Sequence, residues 1–217
     1  MKRFFIWASF VAIIGLVVWG LIAAEKKANR EAQNIILPTE ISTTTDHIRG
    51  SSIAPVTLVE YGDFQCPACK TYHPIVEQVL KAKGPDAVRF VFRHYPLPQH
   101  GNAMPAAKAA EAAGVQGKFW EMYNMLYEKQ SEWSGSSDAK SIFVGYAKEM
   151  GLDESKFLAD YDSKELKEKI TNQSKGGAKA GVNSTPTFLV NGKEIANPQS
   201  YDEFTKIIDD AIPKINI

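Results

Sequence analysis

The chain has 217 residues, room for one domain or two small ones. Apolar residues make up 44% and charged residues 23%, which excludes wholesale disorder. Twenty-five basic side chains balance twenty-five acidic ones, so there is no broad basic surface for nucleic acid and no acidic tail, and the two cysteines are too few to staple a fold.

The run from Phe4 to Ala24 carries no charge. As a helix it covers the roughly 30 Å hydrocarbon core of a bilayer. Lys2 and Arg3 precede it, Lys26 and Lys27 follow it, and Trp7 and Trp19 suit the two interfaces. A cleaved signal peptide is the competing reading. Against it, the run exceeds the usual apolar length, and Ile22 stands where cleavage after Ala24 wants a small residue. No cysteine follows before Cys66 to take a lipid. The expectation is one uncleaved transmembrane helix (residues 1–24), a Pro/Thr-containing tether (25–47) and a catalytic domain (48–217). The flanking charges do not orient the helix.

Val56–Tyr61 is rich in β-branched and aromatic residues and reads as a strand that runs into the turn Gly62-Asp63-Phe64-Gln65. From Cys66 to Lys83 the apolar spacing is helical, and Gly84-Pro85-Asp86 ends it. Val88–Tyr95 alternates as a strand. Residues 102–181 then read as a helical block. Asn102 caps its start, and alanines 106, 107, 109, 110, 112 and 113 form a close-packing face. The stripe of Phe119, Trp120, Met122, Tyr123, Leu126 and Tyr127 reads as core. Further helices follow, with Gly151 as a stop and a weak point at Gly176-Gly177. Pro186–Val190 is a strand, Asn191-Gly192 a type I′ hairpin turn, and Lys193–Ile195 the return. A last amphipathic helix, 200–212, opens on a capping box of Ser200 and Glu203.

The chemistry sits at Cys66-Pro67-Ala68-Cys69, where strand and turn give way to helix. A helix start offers unpaired N–H groups and the positive end of the macrodipole, and both favour the attacking thiolate. Cys69 lies one turn later on the same face, within reach of a disulfide. Pro67 fits the first turn because its missing N–H costs nothing there. Cys66 is expected to be the exposed sulfur that forms mixed disulfides, and Cys69 the resolving one. A zinc site with Cys66, Cys69 and His73 lacks a fourth ligand. Haem attachment fails because Lys70, not histidine, follows Cys69. A purely structural bridge across two residues would stabilise little. His73 reads as a packed helix histidine, Arg93, His94 and His100 as solvated loop residues, and Asp63 as a turn residue.

Three stretches, EYGDFQCPACKTYHP, FVFRHYPLPQHGNAMPAAKAAEAA and STPTFLVNG, resemble the DsbA-like thiol–disulfide oxidoreductases of the thioredoxin superfamily, nearest the membrane-tethered BdbD-type branch. The resemblance covers about residues 50–214. It implies an α/β thioredoxin fold with a helical domain inserted after the second strand, about residues 102–181. It places the redox pair at Cys66 and Cys69, flanked by Pro67 and Ala68. It matches Pro186, preceded by Thr185, to the family's cis-proline and Pro74 to a helix-kinking proline. Glu60 falls where the superfamily buries an acid. In a central strand such an acid has a raised pKa and can relay a proton to Cys69.

The expected activity is extracytoplasmic disulfide formation in reduced or unfolded polypeptide clients, with neither metal nor organic cofactor. Re-oxidation falls to a quinone-linked integral membrane partner. The oxidising chemistry places residues 25–217 outside the cytoplasm. The strongest oxidants of the family carry histidine between the cysteines. Pro67-Ala68 instead puts the potential between roughly −120 mV and roughly −270 mV. An envelope reductase or isomerase is therefore the alternative, and a metal-binding or chaperone-like module the third reading.

Overall fold

A computed structural model describes residues 41–213 together with 16 and 18–20. The chain divides into two units, Met1–Ile36 and Leu37–Ile217, and the second carries the fold below. Apart from those four residues, the expected membrane helix and residues 25–40 of the expected tether lie outside the described residues. Among the described residues no helix is long and apolar enough to cross a membrane.

Five strands form one mixed sheet. They are β1 (His47–Arg49), β2 (Val56–Gly62), β3 (Val88–His94), β4 (Thr187–Val190) and β5 (Lys193–Ile195), in the order β1-β3-β2-β4-β5. Only β2 and β3 run parallel; the other pairings are antiparallel. β2 is central, with Glu60 opposite Phe92 on one side and Phe188 on the other. Strand side chains alternate between faces, so Glu60 shares its face with Val56 and Leu58. That face belongs to the large core, while Val59 and Tyr61 join the smaller core on the other face.

Helix α1 (Pro67–Lys83) connects β2 to β3, as a parallel pair requires. Pro74 lies inside it, and it packs against the last helix, α8 (Tyr201–Ala211). Six helices fill the stretch between β3 and β4: α2 (Ala103–Val115), α3 (Phe119–Glu128), α4 (Gln130–Trp133), α5 (Ala139–Glu149), α6 (Glu154–Tyr161) and α7 (Lys164–Lys179). The seven alanines of α2 are buried and let neighbouring helices approach closely. At the hairpin, Asn191 and Gly192 both have positive φ (49° and 80°), the backbone a type I′ turn needs. Ser200 Oγ accepts from the Glu203 N–H, and the Glu203 carboxylate reaches back to the Gln199 N–H, so the cap of α8 closes one residue earlier than a standard box.

Three expectations change. Helix α7 runs through Gly176-Gly177 to Lys179; a Cβ on Gly177 would meet Tyr61 Cε1 at 2.7 Å, so this glycine permits close packing rather than weakening the helix. Asn102 precedes α2 without capping it. Its side-chain amide donates instead to the carbonyls of Trp133, Ser134 and Ser136, tying the start of α2 to the end of α4. Arg93 and His94 are buried rather than solvated. Arg93 forks onto Asp46 (Nε–Oδ1 2.9 Å, Nη2–Oδ2 2.8 Å) and donates to the Tyr61 hydroxyl. Asp46 lies in the stretch expected to be tether, so the structured part starts before residue 48.

His94 belongs to a cluster that joins four elements. Glu111 Oε1 lies 2.9 Å from His47 Nε2 and 3.0 Å from His94 Nε2, and its Oε2 accepts from Lys169 Nζ at 2.8 Å. Burial pushes the Glu111 pKa up, but hydrogen bonds from the two histidines outweigh this and hold it well below the usual carboxylate range. Both oxygens are used, and the ammonium supplies compensating charge. Glu111→Gln should therefore cost about 1.5–3 kcal/mol in urea unfolding at neutral pH, because it removes the carboxylate that pairs with Lys169 and both imidazoles. Since the folded pKa is depressed, this advantage of the native protein is present above pH ~4.5 and declines as acid protonates Glu111. A variant as stable as the native protein would contradict this role.

Candidate active site

Cys66 is the N-cap of α1, with extended backbone (φ −68°, ψ 123°) and proline next in the chain. Its sulfur sits at the capping position, although its side chain makes no capping hydrogen bond. The N–H groups of Ala68 and Cys69, the second and third helical residues, have no partner further up the helix and face it. The chain reaches this point through a turn held on Asp63. That buried carboxylate accepts from the N–H groups of Gln65 and Leu97, and it lies 2.6 Å from His100 Nδ1. Asp63 and His100 therefore join two loops, where the sequence suggested a local turn and a solvated residue.

The two sulfurs are driven apart in acidity. The Cys66 pKa is pulled down to about 5. The Cys69 thiol donates to it, and the N–H groups of Cys69 and Ala68 assist, against the opposing effect of burial. Burial pushes the Cys69 thiol well above its ordinary value, and donation to Cys66 and the Glu60 charge push it further. At neutral pH Cys66 is a thiolate and Cys69 a thiol.

The expectation that Cys66 is exposed needs correcting: it is 6% exposed, against 0% for Cys69. The loop before β4 covers it, with the Thr185 carbonyl 3.3 Å from its sulfur. The Thr185–Pro186 bond is cis, as the resemblance implies. The Thr185 hydroxyl is buried with no partner among the described residues, so it is free to turn to the thiolate. Pro67 and Ala68 stay exposed beside this narrow opening.

Glu60 lies beneath the pair, 1% exposed. Burial raises its pKa to about 8, and its nearest hydrogen-bonding partner is the Tyr123 hydroxyl, 3.5 Å from Oε2. It is protonated at neutral pH, the state that can give a proton to a neighbouring sulfur. His73 is a packed residue, as expected: its Nε2 meets Asn124 Oδ1 at 3.0 Å, and its ring packs against those of Tyr123 and Tyr127. It is engaged there rather than aimed at the sulfurs. Among the described residues, the side chains placed to share an ion are His47, His94 and Glu111, not the cysteines.

Sequence reasoning missed the groups that hold this site from the helical block. Buried Gln130 donates to the carbonyls of Phe64 (2.7 Å) and Cys66 (3.0 Å). Gln65 bonds the Ser134 carbonyl and the Asn102 N–H. Tyr123 and Tyr127 carried no signal beyond an apolar stripe.

A thioredoxin family model matches residues 42–210. Among curated proteins, the Na(+)/H(+) antiporter NhaA 1 of Salinispora arenicola is 39% identical over 160 residues, which is 73% of this chain and 24% of that protein. The chain thus spans about a quarter of the length of such relatives. Among solved structures, oxidised BdbD from Bacillus subtilis is 26% identical with a TM-score of 0.69, covering 79% of this chain and 95% of that one. Wolbachia pipientis α-DsbA1, 20% identical with a TM-score of 0.72 over 82% and 96% of the two chains, shares the fold.

Glu60→Gln tests the buried acid. Between pH ~4.5 and ~8 the unfolded chain ionises at this position while the folded one stays neutral, so the native protein loses stability relative to the glutamine variant across that window. Urea unfolding of the reduced proteins should show an advantage for the variant that grows with pH and levels off above about 8. A difference independent of pH would contradict a buried, neutral Glu60.

Proposed function

The chain belongs to the thioredoxin family, and we propose that it acts there as an extracytoplasmic protein thiol–disulfide oxidoreductase, introducing disulfides into reduced or unfolded polypeptides. The observation that carries the proposal is the unequal pair of sulfurs at the start of α1, one held as thiolate at about pH 5 and the other held as thiol.

In the oxidised protein a client thiolate attacks Cys66 Sγ, the more accessible sulfur. The Cys66–Cys69 bond breaks, and its electron pair goes to Cys69, which takes a proton from Glu60. A second client thiolate then attacks the client sulfur of the mixed disulfide, and Cys66 leaves as its stabilised thiolate. The client gains a disulfide, and the protein keeps two electrons as a dithiol. A low-pKa leaving thiol speeds this last step and makes the reduced protein the favoured product. Pro67 and Ala68, exposed beside the cis Thr185–Pro186 edge, leave room for an extended client to pair there.

A thiolate at about 5 lies between the roughly 3.5 of a strong oxidant and the roughly 7 of thioredoxin, which supports an intermediate potential. The absence of a cation between the cysteines favours a second reading, an envelope reductase or isomerase with the same site. The apolar run at residues 4–24 supports a membrane tether with the catalytic domain outside the cytoplasm, and the dithiol needs an oxidant such as a quinone-linked integral membrane partner. The ion exchange named for the curated relatives is not carried over to a chain that spans a quarter of their length.

Cys69→Ala should trap clients on Cys66 as mixed disulfides in cells, released by reductant and absent from a Cys66→Ala control; no adduct would contradict the exchange reading. Alkylation of the native pair in cells should find mostly disulfide. A pair found mostly as dithiol would favour the reductase reading.

A further inference from the structure

Tyr127 carries a hydroxyl that no group among the described residues satisfies. The residue is fully buried, and its oxygen has no hydrogen-bond partner among the described residues. A buried donor left this way costs on the order of 1–3 kcal/mol, and phenylalanine would fill the same space without that cost. Its position gives the hydroxyl a use. Tyr123 and Tyr127 are one turn apart on α3, on one face of the helix. The Tyr123 hydroxyl reaches Glu60, and Gln130, just beyond the end of α3, holds the Cys66 carbonyl. Tyr127 stands between these two contacts. From the opposite side, Cys69 and His73 are one turn apart on α1, and the His73 ring lies 5.1 Å from that of Tyr127. The Phe64 ring closes a third side at 5.0 Å. Burial, then the charges of Cys69 and Glu60, push Tyr127 ionisation well above the ordinary tyrosine value, so the hydroxyl stays a neutral donor.

We propose that Tyr127 is a positioning residue for the proton that passes between Glu60 and Cys69. This rests on the disulfide-exchange reading. When a client thiolate attacks Cys66, the sulfur–sulfur bond breaks and its electron pair settles on Cys69. The Tyr127 hydroxyl, which hydrogen-bonds neither group in the resting protein, is the unpartnered donor left to turn toward that developing charge, and it aligns the transfer of the Glu60 proton to the sulfur. Glu60 ends as carboxylate, Cys69 as thiol, and Tyr127 with the proton it began with. In the reverse direction Glu60 takes the proton back. An orphaned donor in the resting protein is then pre-organised for charge that appears only during the reaction.

The test is Tyr127→Phe in the full-length, oxidised protein. Single-turnover oxidation of a reduced cysteine peptide is followed from pH 5 to 9, corrected for the peptide's thiolate fraction, with thermal unfolding alongside. In the native protein the corrected rate falls as Glu60 ionises near pH 8. In the variant the rate at neutral pH should drop about three- to tenfold and the fall near pH 8 should flatten, while stability is unchanged or higher. A pH profile that superimposes on the native one overturns the proposal. So does a clear loss of stability, because the hydroxyl would then have a structural partner. Failure of the native protein to oxidise the peptide at any pH overturns the exchange reading itself, and this proposal with it.

Discussion

One sulfur placed at the start of a helix is the constraint on which the rest depends. Cys66 ends the turn after β2 and starts α1, so its side chain meets the free N–H groups of Ala68 and Cys69. A thiolate satisfies donors that a thiol cannot, and the helix therefore stabilises the charged, reactive form. Proline at the first helical position keeps these donors available without wasting one. The second sulfur adds its own hydrogen bond and in doing so becomes the harder of the two to ionise. Both the nucleophile and the order of events follow from that asymmetry.

Holding the asymmetry in place costs stability. Glu60 is a carboxyl buried in a central strand, and the hydroxyls of Thr185 and Tyr127 are buried without partners among the described residues. Each opposes folding, and all three lie at or beside the two sulfurs. The compensation lies elsewhere. The Glu111 cluster and the Arg93–Asp46 fork tie β1, β3 and the helical block together, and the rings of Phe64, Phe92 and Tyr127 each pack edge to face with Tyr123. The helical block is more than a cover: through Gln130 it grips the backbone of Cys66 itself.

What could be read from the sequence was local. β-branched and aromatic composition gave β2, alternation gave β3 and helical spacing gave α1, each within about a residue, because these signals are carried by a short stretch of chain. Asn191-Gly192 announced its turn through backbone conformations few other residues adopt. The redox pair was legible because motif and helix start coincide. Partners distant in sequence were not. Arg93 looked solvated because its acceptor, Asp46, lies 47 residues away, and His94 because Glu111 sits within an alanine-rich face that carries no hint of charge pairing. The occlusion of Cys66 comes from a loop 119 residues further on. Tyr123 and Tyr127 read as core since their rings are core; only the fold shows where their hydroxyls go.

The ionisation of Cys66 is the most direct test of this account. Ultraviolet thiolate absorbance of the reduced protein, titrated against pH and compared with Cys66→Ala, reports that single sulfur. The account predicts a transition centred near pH 5 that the variant lacks. A transition near the free-thiol value of about 8.5 would show that the helix start does not hold the sulfur as a thiolate, and would contradict the mechanism at its first step.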